Sequence, residues 1–183
     1  MTSTVITRNR APITTRSSDA RDTRHYPTKN DLPEQTRSEV IMLLNQRLAD
    51  AIDLQGQCKQ AHWNVKGPQF IALHRLFDEI YTAVGEYVDL LAERVVQLGG
   101  VAEGTVGTVT DRTTLVDYPL GLSTGAEHVA AVSDVLAAFG RVVRMGIEEL
   151  TELQDAGSAD IFTEILRGVD QWLWFVEAHQ QTS

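Results

Sequence analysis

His74 with Asp78, and Asp89 with Glu93, place four metal-type ligands at i,i+4 spacing along one stretch of helical periodicity, all facing the same way. Eleven residues from Asp78 to Asp89 make close to three turns, so the two pairs stand roughly 16 Å apart along a helix rising 1.5 Å per residue. A metal site spans only a few ångströms, and one chain cannot join the pairs. A second copy packed antiparallel about a two-fold axis near residues 83 and 84 would set each pair opposite the other chain's complementary pair, giving two identical shared sites per dimer. Gly85 falls on this face beside the axis, where a missing side chain lets two backbones approach. His62, twelve residues before His74 and beyond a Gly67-Pro68 turn, adds a second imidazole. Each site would then combine His62, His74 and Asp78 of one chain with Asp89 and Glu93 of its mate. That nitrogen and oxygen set suits iron, with zinc, manganese or cobalt as competitors, and has too few hard carboxylates for a dedicated calcium cage. Taken singly, each of these residues also reads as a solvated acid or a packed histidine; their shared face argues for a ligand set. No Glu-x-x-His motif occurs, so a di-iron site inside a single bundle is poorly supported.

The elements that must carry these residues are helices. Asp31-Leu32-Pro33-Glu34 has the form of a helix start, with Asp31 as cap and Glu34 at the capping-box position. Val40, Leu43, Leu44, Leu48, Ala51 and Ile52 then mark an apolar face continuing to about Val65. A second helix runs from about Phe70 to Leu98 and stops at Gly99-Gly100. Residues 101–122, rich in Gly and Thr, predict a long crossover with a short helix around Arg112–Tyr118. A third long helix starts at Thr124, spaced for a capping box with Glu127, and ends near Asp155; Ser158 or Asp160 caps a fourth that reaches about His179. A crossover of this length can return the chain along the bundle as in ferritin-like four-helix folds, whereas an up-down bundle needs only short loops, so the expected fold class is all-α, a ferritin-like four-helix bundle over residues 31–183.

Other residues carry weaker signals. Trp63, beside His62, reads as packing or as an indole able to intercept oxidising equivalents. Cys58, one turn before His62, reads as a ligand, a redox-sensitive thiol or, more simply, a buried inert thiol. His25, His128 and His179 have no partner pattern. A single cysteine excludes an internal disulfide framework, and the first residues lack a signal peptide's apolar run, which points to the cytoplasm. No apolar run is long enough for a membrane span, so no membrane partner is expected. Within residues 1–30, Arg8, Arg10, Arg16, Arg21, Arg24 and Lys29 face only Asp19 and Asp22, giving +4 and leaving −13 of the net −9 on residues 31–183. This composition predicts a disordered basic arm on an acidic body. Such an arm can contact DNA phosphates without reading sequence; keeping an assembly soluble or joining copies is its other use.

The segment Lys59-Gln60-Ala61-His62-Trp63-Asn64-Val65-Lys66-Gly67, with Phe70-Ile71-Ala72-Leu73-His74 and Asp78, strongly resembles the Dps family of miniferritins. The likeness continues through Asp89-Leu90-Leu91-Ala92-Glu93-Arg94, Tyr118-Pro119-Leu120 and Leu173-Trp174-Phe175-Val176-Glu177. The resemblance implies a hollow shell of twelve subunits. It implies a ferroxidase that binds Fe(II) at dimer interfaces through His62, His74, Asp78, Asp89 and Glu93. Hydrogen peroxide is the implied preferred oxidant over dioxygen, with ferric mineral stored inside and DNA protected in the nucleoid. It also suggests iron entry past acids near the start of the fourth helix, where Asp155, Asp160 and Glu164 lie; these equally read as caps and solvated surface charges. Two other readings stand beside this one: a DNA-compacting scaffold with secondary metal chemistry, and a zinc- or manganese-binding shell.

Overall fold

The structure, a computed structural model, describes residues 25–181. Five helices follow in order: α1 Glu34–Asn64, α2 Phe70–Gln97, α3 Val106–Arg112, α4 Gly125–Glu152 and α5 Ala156–Glu177. The α1/α2 and α4/α5 hairpins pack side by side, α1 against α4 and α2 against α5, and α3 rides on α1. The long crossover between α2 and α4 that joins them makes this an all-α, ferritin-like four-helix bundle.

Periodicity explains the core. Val40, Leu44, Leu48, Ala51, Leu54, Cys58 and Ala61 recur every three or four residues on α1, Val65 continues the row at its C-cap, and all are buried. They meet Leu73, Phe77, Ile80, Val84, Leu91 and Val95 of α2, Leu136 and Phe139 of α4, and Phe162, Ile165 and Val169 of α5 in one cluster. Leu43 and Ile52, from the expected apolar face, pack at its edge. Close approach fixes two glycines. A Cβ on Gly146 would lie 2.5 Å from Phe162 Cε2, and one on Gly168 would overlap the Tyr87 hydroxyl.

Helix α1 also has a polar stripe that its apolar periodicity conceals, and it holds the crossover. Asn45 donates to the Val101 carbonyl and accepts from Glu103 N–H, and Gln46 donates to the Arg112 carbonyl at the end of α3. Asp50 accepts from Thr114 N–H, Asp53 from the Thr113 hydroxyl, and Gln57 donates to the Val116 carbonyl. These bonds hold residues 113–116 out of helix, so the short helix lies at Val106–Arg112 rather than around Arg112–Tyr118.

The caps divide between agreement and correction. Thr124 and Glu127 form the expected capping box at α4. The Ser123 and Thr124 N–H groups hold the Glu127 carboxyl far below its ordinary range, at about 2. At α1, by contrast, Asp31 does not cap: Pro33 occupies the cap position with extended ψ of 144° and no side-chain cap bond, which leaves Asp31 too far upstream of the first-turn N–H groups. Asn30 Oδ1 instead accepts from Leu32 N–H. At α5 the cap is Asp155, not Ser158 or Asp160, and it accepts from Ser158 N–H at 3.1 Å.

Residues 25–30, counted with the arm by composition, are described and meet the body. Tyr26 N–H donates to the Gly99 carbonyl at 2.7 Å, and a Cβ on Gly99, whose φ is +89°, would lie 2.6 Å from the Tyr26 carbonyl. Arg8, Arg10, Arg16, Arg21 and Arg24 lie outside the described residues, and Lys29 is exposed. No described helix is long and apolar enough to cross a membrane.

Candidate metal centre

The tight α1/α2 turn, with Gly67 at φ +106°, folds the last turn of α1 onto the first turns of α2. It brings His62 and His74 together with ring centroids 3.7 Å apart and planes within 20°. The two rings bind each other's backbone: His62 Nδ1 lies 2.7 Å from the His74 carbonyl, and His74 Nδ1 lies 2.8 Å from the His62 carbonyl. A carbonyl oxygen only accepts, so both Nδ1 atoms carry the proton, and in the neutral rings both Nε2 atoms keep a lone pair. Metal-ligating histidines are usually oriented by such a bond from the other ring nitrogen to a carbonyl or carboxylate. The residues present therefore fit a metal ion.

Asp78 joins this end, its Oδ1 3.9 Å from His62 Nδ1. Lys59 donates to the same oxygen and also stands 4.6 Å above the centre of the Tyr81 ring. The Lys59 ammonium, backed by the two imidazoles, holds the Asp78 carboxyl below its usual range. Lys59 was not among the residues singled out from sequence; its position one turn before His62 was the available signal.

Asp89 and Glu93 extend along the exposed side of α2, away from this cluster, and take part in none of the ion pairs among the described residues. Two shallow concavities flank the stretch. One is lined by Arg75, Asp78, Glu79, Thr82 and Ala83, the other by Ala92, Glu93, Val96, Gln97 and Ala102. Within a single chain, no group of three or more His, Cys, Asp or Glu side chains among the described residues is arranged to hold a metal.

Several neighbouring readings change. Gly85 does not stand free for a partner helix: a Cβ there would lie 2.8 Å from Gln55 Nε2, whose amide donates to the Tyr81 carbonyl across the α1/α2 seam. Cys58 is fully buried and its thiol is pushed up to about 12 by desolvation, the inert form. Trp63 is 66% exposed, so it is not core packing within one chain. Among the candidate entry acids, Asp155 is 3% exposed, caps α5 and pairs with Arg94 at 2.8 Å. Its carboxylate is committed inside the subunit, which removes it as a pore acid; Asp160 and Glu164 remain on the surface. His128, to which sequence assigned nothing, is buried and bonded to Tyr118.

The comparisons with known proteins agree with this architecture. The Ferritin family model, a ferritin-like domain, matches residues 41–182. A relative from Agrobacterium fabrum (strain C58 / ATCC 33970), named DNA protection during starvation protein, is 45% identical over 156 residues, covering 85% of this chain and 96% of its own length. Among solved structures, DpsA14 from Streptomyces coelicolor superposes with a TM-score of 0.83 at 32% identity, covering 88% of this chain and 96% of that one. A Mycobacterium smegmatis Dps structure gives 0.81 at 33% identity over 87% and 94% of the two chains. The shared domain spans most of the sequence and so does the likeness to these relatives, and the chain belongs to the Dps family of ferritin-like proteins.

Proposed function

We propose that this protein is a ferroxidase and iron store that protects DNA, acting as a hollow shell of twelve subunits built from two-fold dimers in the bacterial cytoplasm. The observation that carries the reading is the His62/His74 pair, with both Nδ1 atoms tied to carbonyls and both Nε2 atoms left open. Asp78 completes one half of a site, and Asp89 and Glu93 supply the other half from a mate across the dimer interface. The ion bound there is substrate. Two ferrous ions give two electrons to hydrogen peroxide, which takes up two protons and leaves as two waters. An isolated ferrous ion delivers only one electron and releases hydroxyl radical, so pairing the ions is the protective step. The ferric product then moves inward to form mineral, and Asp160 and Glu164 draw ferrous ions toward the shell.

DNA contact belongs to the basic segment, because a body carrying −13 repels phosphate. Twelve such segments bind multivalently even where each is weak. Since Tyr26 bonds to Gly99, the deletion that isolates this effect is residues 2–24, which removes five of the six cations. It should abolish DNA retention at low salt and leave iron oxidation intact.

The deciding experiment loads metal-free protein with ferrous iron under anaerobic conditions, then adds hydrogen peroxide or air with a hydroxyl-radical trap present. Fast peroxide-dependent oxidation with little trapped radical is expected. Oxidation no faster than in buffer would turn the reading toward a DNA-compacting scaffold or a zinc or manganese shell. Reassembling a mixture of His62→Ala and Glu93→Ala subunits tests the shared geometry, since each mixed dimer regains one intact site. No recovery in a verified mixed assembly would refute sharing.

A further inference from the structure

Behind the histidine end of α1 lies a polar pair that the iron chemistry does not use. The Tyr118 hydroxyl is 2.6 Å from His128 Nδ1, with His128 1% exposed and its Nε2 buried without a hydrogen-bond partner. Burial favours the neutral forms of both groups, so the phenol donates and Nδ1 accepts. The Asn64 backbone and the Glu127 carboxylate favour a charged His128 ring, against burial and Lys66. Two residues before Tyr118, the Val116 carbonyl accepts from Gln57, and three residues before His128 a Cβ on Gly125 would lie 3.4 Å from the Lys66 carbonyl, so the chain on either side of the pair meets the stretch from 57 to 66 that carries His62.

We propose that Tyr118, with His128 as its proton acceptor, stores the oxidising equivalent released when a half-filled iron site meets hydrogen peroxide. This rests on the ferroxidase reading for its source of oxidant. One ferrous ion reduces peroxide to hydroxide and hydroxyl radical, and is itself oxidised to the ferric ion. Tyr118 passes one electron to the hydroxyl radical, which becomes hydroxide, while the phenolic proton moves to His128 Nδ1. The products are a neutral tyrosyl radical and an imidazolium. A second ferrous ion then returns an electron to the radical and His128 returns the proton, so both residues are restored and a second ferric ion forms.

The other tyrosines and Trp63 are worse sinks. Tyr81 lies under the Lys59 ammonium, which opposes a positive hole. Burial pushes the Tyr87 phenol up, and its side-chain hydrogen bond is to Trp172 rather than to a base. Tyr26 and Trp63 are mostly exposed, where a radical meets solvent. Tyr118 has a base at hydrogen-bond distance and a shielded position.

The test uses the assembled full chain with fewer ferrous ions than sites, freeze-quenched after peroxide and read by electron paramagnetic resonance. A tyrosyl signal, narrowed by ring-deuterated tyrosine, is expected. It should vanish in Tyr118→Phe and fall several-fold in His128→Gln, while hydroxyl-radical adducts rise. Oxidation with both iron positions filled should stay unchanged in Tyr118→Phe. Flash photo-oxidation of the metal-free protein should produce the same radical with a deuterium isotope effect, which a purely structural hydrogen bond would not give. Normal iron oxidation without any tyrosyl signal, or a signal kept in Tyr118→Phe and lost in Trp63→Phe, would overturn the proposal. Absent iron oxidation would refute the ferroxidase reading instead, and the flash experiment would still decide Tyr118.

Discussion

Asp155→Ala separates an acid that holds the fold from one that serves iron entry. Asp155 Oδ1 pairs with Arg94 Nη2 at 2.8 Å and accepts from Ser158 N–H at 3.1 Å, while Arg94 Nε donates to the Ser158 hydroxyl at 2.9 Å. The side chains are 3% and 15% exposed, so removing the carboxylate leaves a guanidinium largely buried and unpaired. That costs about 3–5 kcal/mol. The lost helix cap, alone worth about 1 kcal/mol, involves the same oxygens and is not an additional term. Urea unfolding by circular dichroism, at fixed chain concentration because assembly links stability to concentration, should show a midpoint lower by roughly 1–3 M. Arg94→Met with Asp155→Leu should lose far less, since neither charge is stranded. Asp160→Asn should stay within about 0.5 kcal/mol of the parent. An unchanged midpoint for Asp155→Ala, with slower iron uptake, would refute this reasoning and restore Asp155 as an entry acid.

Lys59→Met should tighten divalent-metal binding at the His62/Asp78 half of the site. The ammonium competes for Asp78 Oδ1, but the pair is 24% and 46% exposed, which limits it to about 0.2–1 kcal/mol and the gain to roughly 1.5–5-fold. Zinc titration calorimetry measures this, and weaker binding would show that Lys59 positions Asp78 instead. Gly146→Ala forces a Cβ against Phe162 and should cost about 1–3 kcal/mol in urea unfolding; adding Phe162→Leu should recover part of it. For Glu127 the folded carboxyl is depressed from 4.5 to about 2, so its stabilisation is present above about 4.5 and is lost as pH falls through about 2. Glu127→Gln should therefore unfold earlier than the parent near neutral pH, with the two curves converging across that acid window. A constant gap down to the lower pH would refute the assignment.

Local patterns announced the long helices because they depend on near neighbours. The α4 capping box needs only Thr124 and Glu127, and α2 carries its apolar stripe in plain sequence. The crossover was not legible in the same way. Its path follows Asn45, Asp50, Asp53 and Gln57, whose bonds reach partners 56 to 64 residues further along the chain. The α1 and α5 starts failed for a related reason: the cap was decided not by residue type but by backbone geometry at Pro33 and by Arg94, a partner 61 residues from Asp155.

The site divides along the same line. Spacing could place His74, Asp78, Asp89 and Glu93 on one helix face, since four-residue separation fixes direction. It could not supply the reciprocal bonds between His62 and His74, which depend on a turn that sets two helix ends a ring's thickness apart. Nor could it find Lys59 on Asp78, Gln55 under Gly85 or His128 on Tyr118, because each joins different elements. Gly85 is the instructive case. A small residue on the presumed dimer face suggested close helix approach between chains, yet the space belongs to an amide of the same chain. What remains in favour of a two-fold shared site is the ligand spacing: roughly 16 Å separates the His74/Asp78 and Asp89/Glu93 pairs along α2, and no rotamer change within one chain can close that distance.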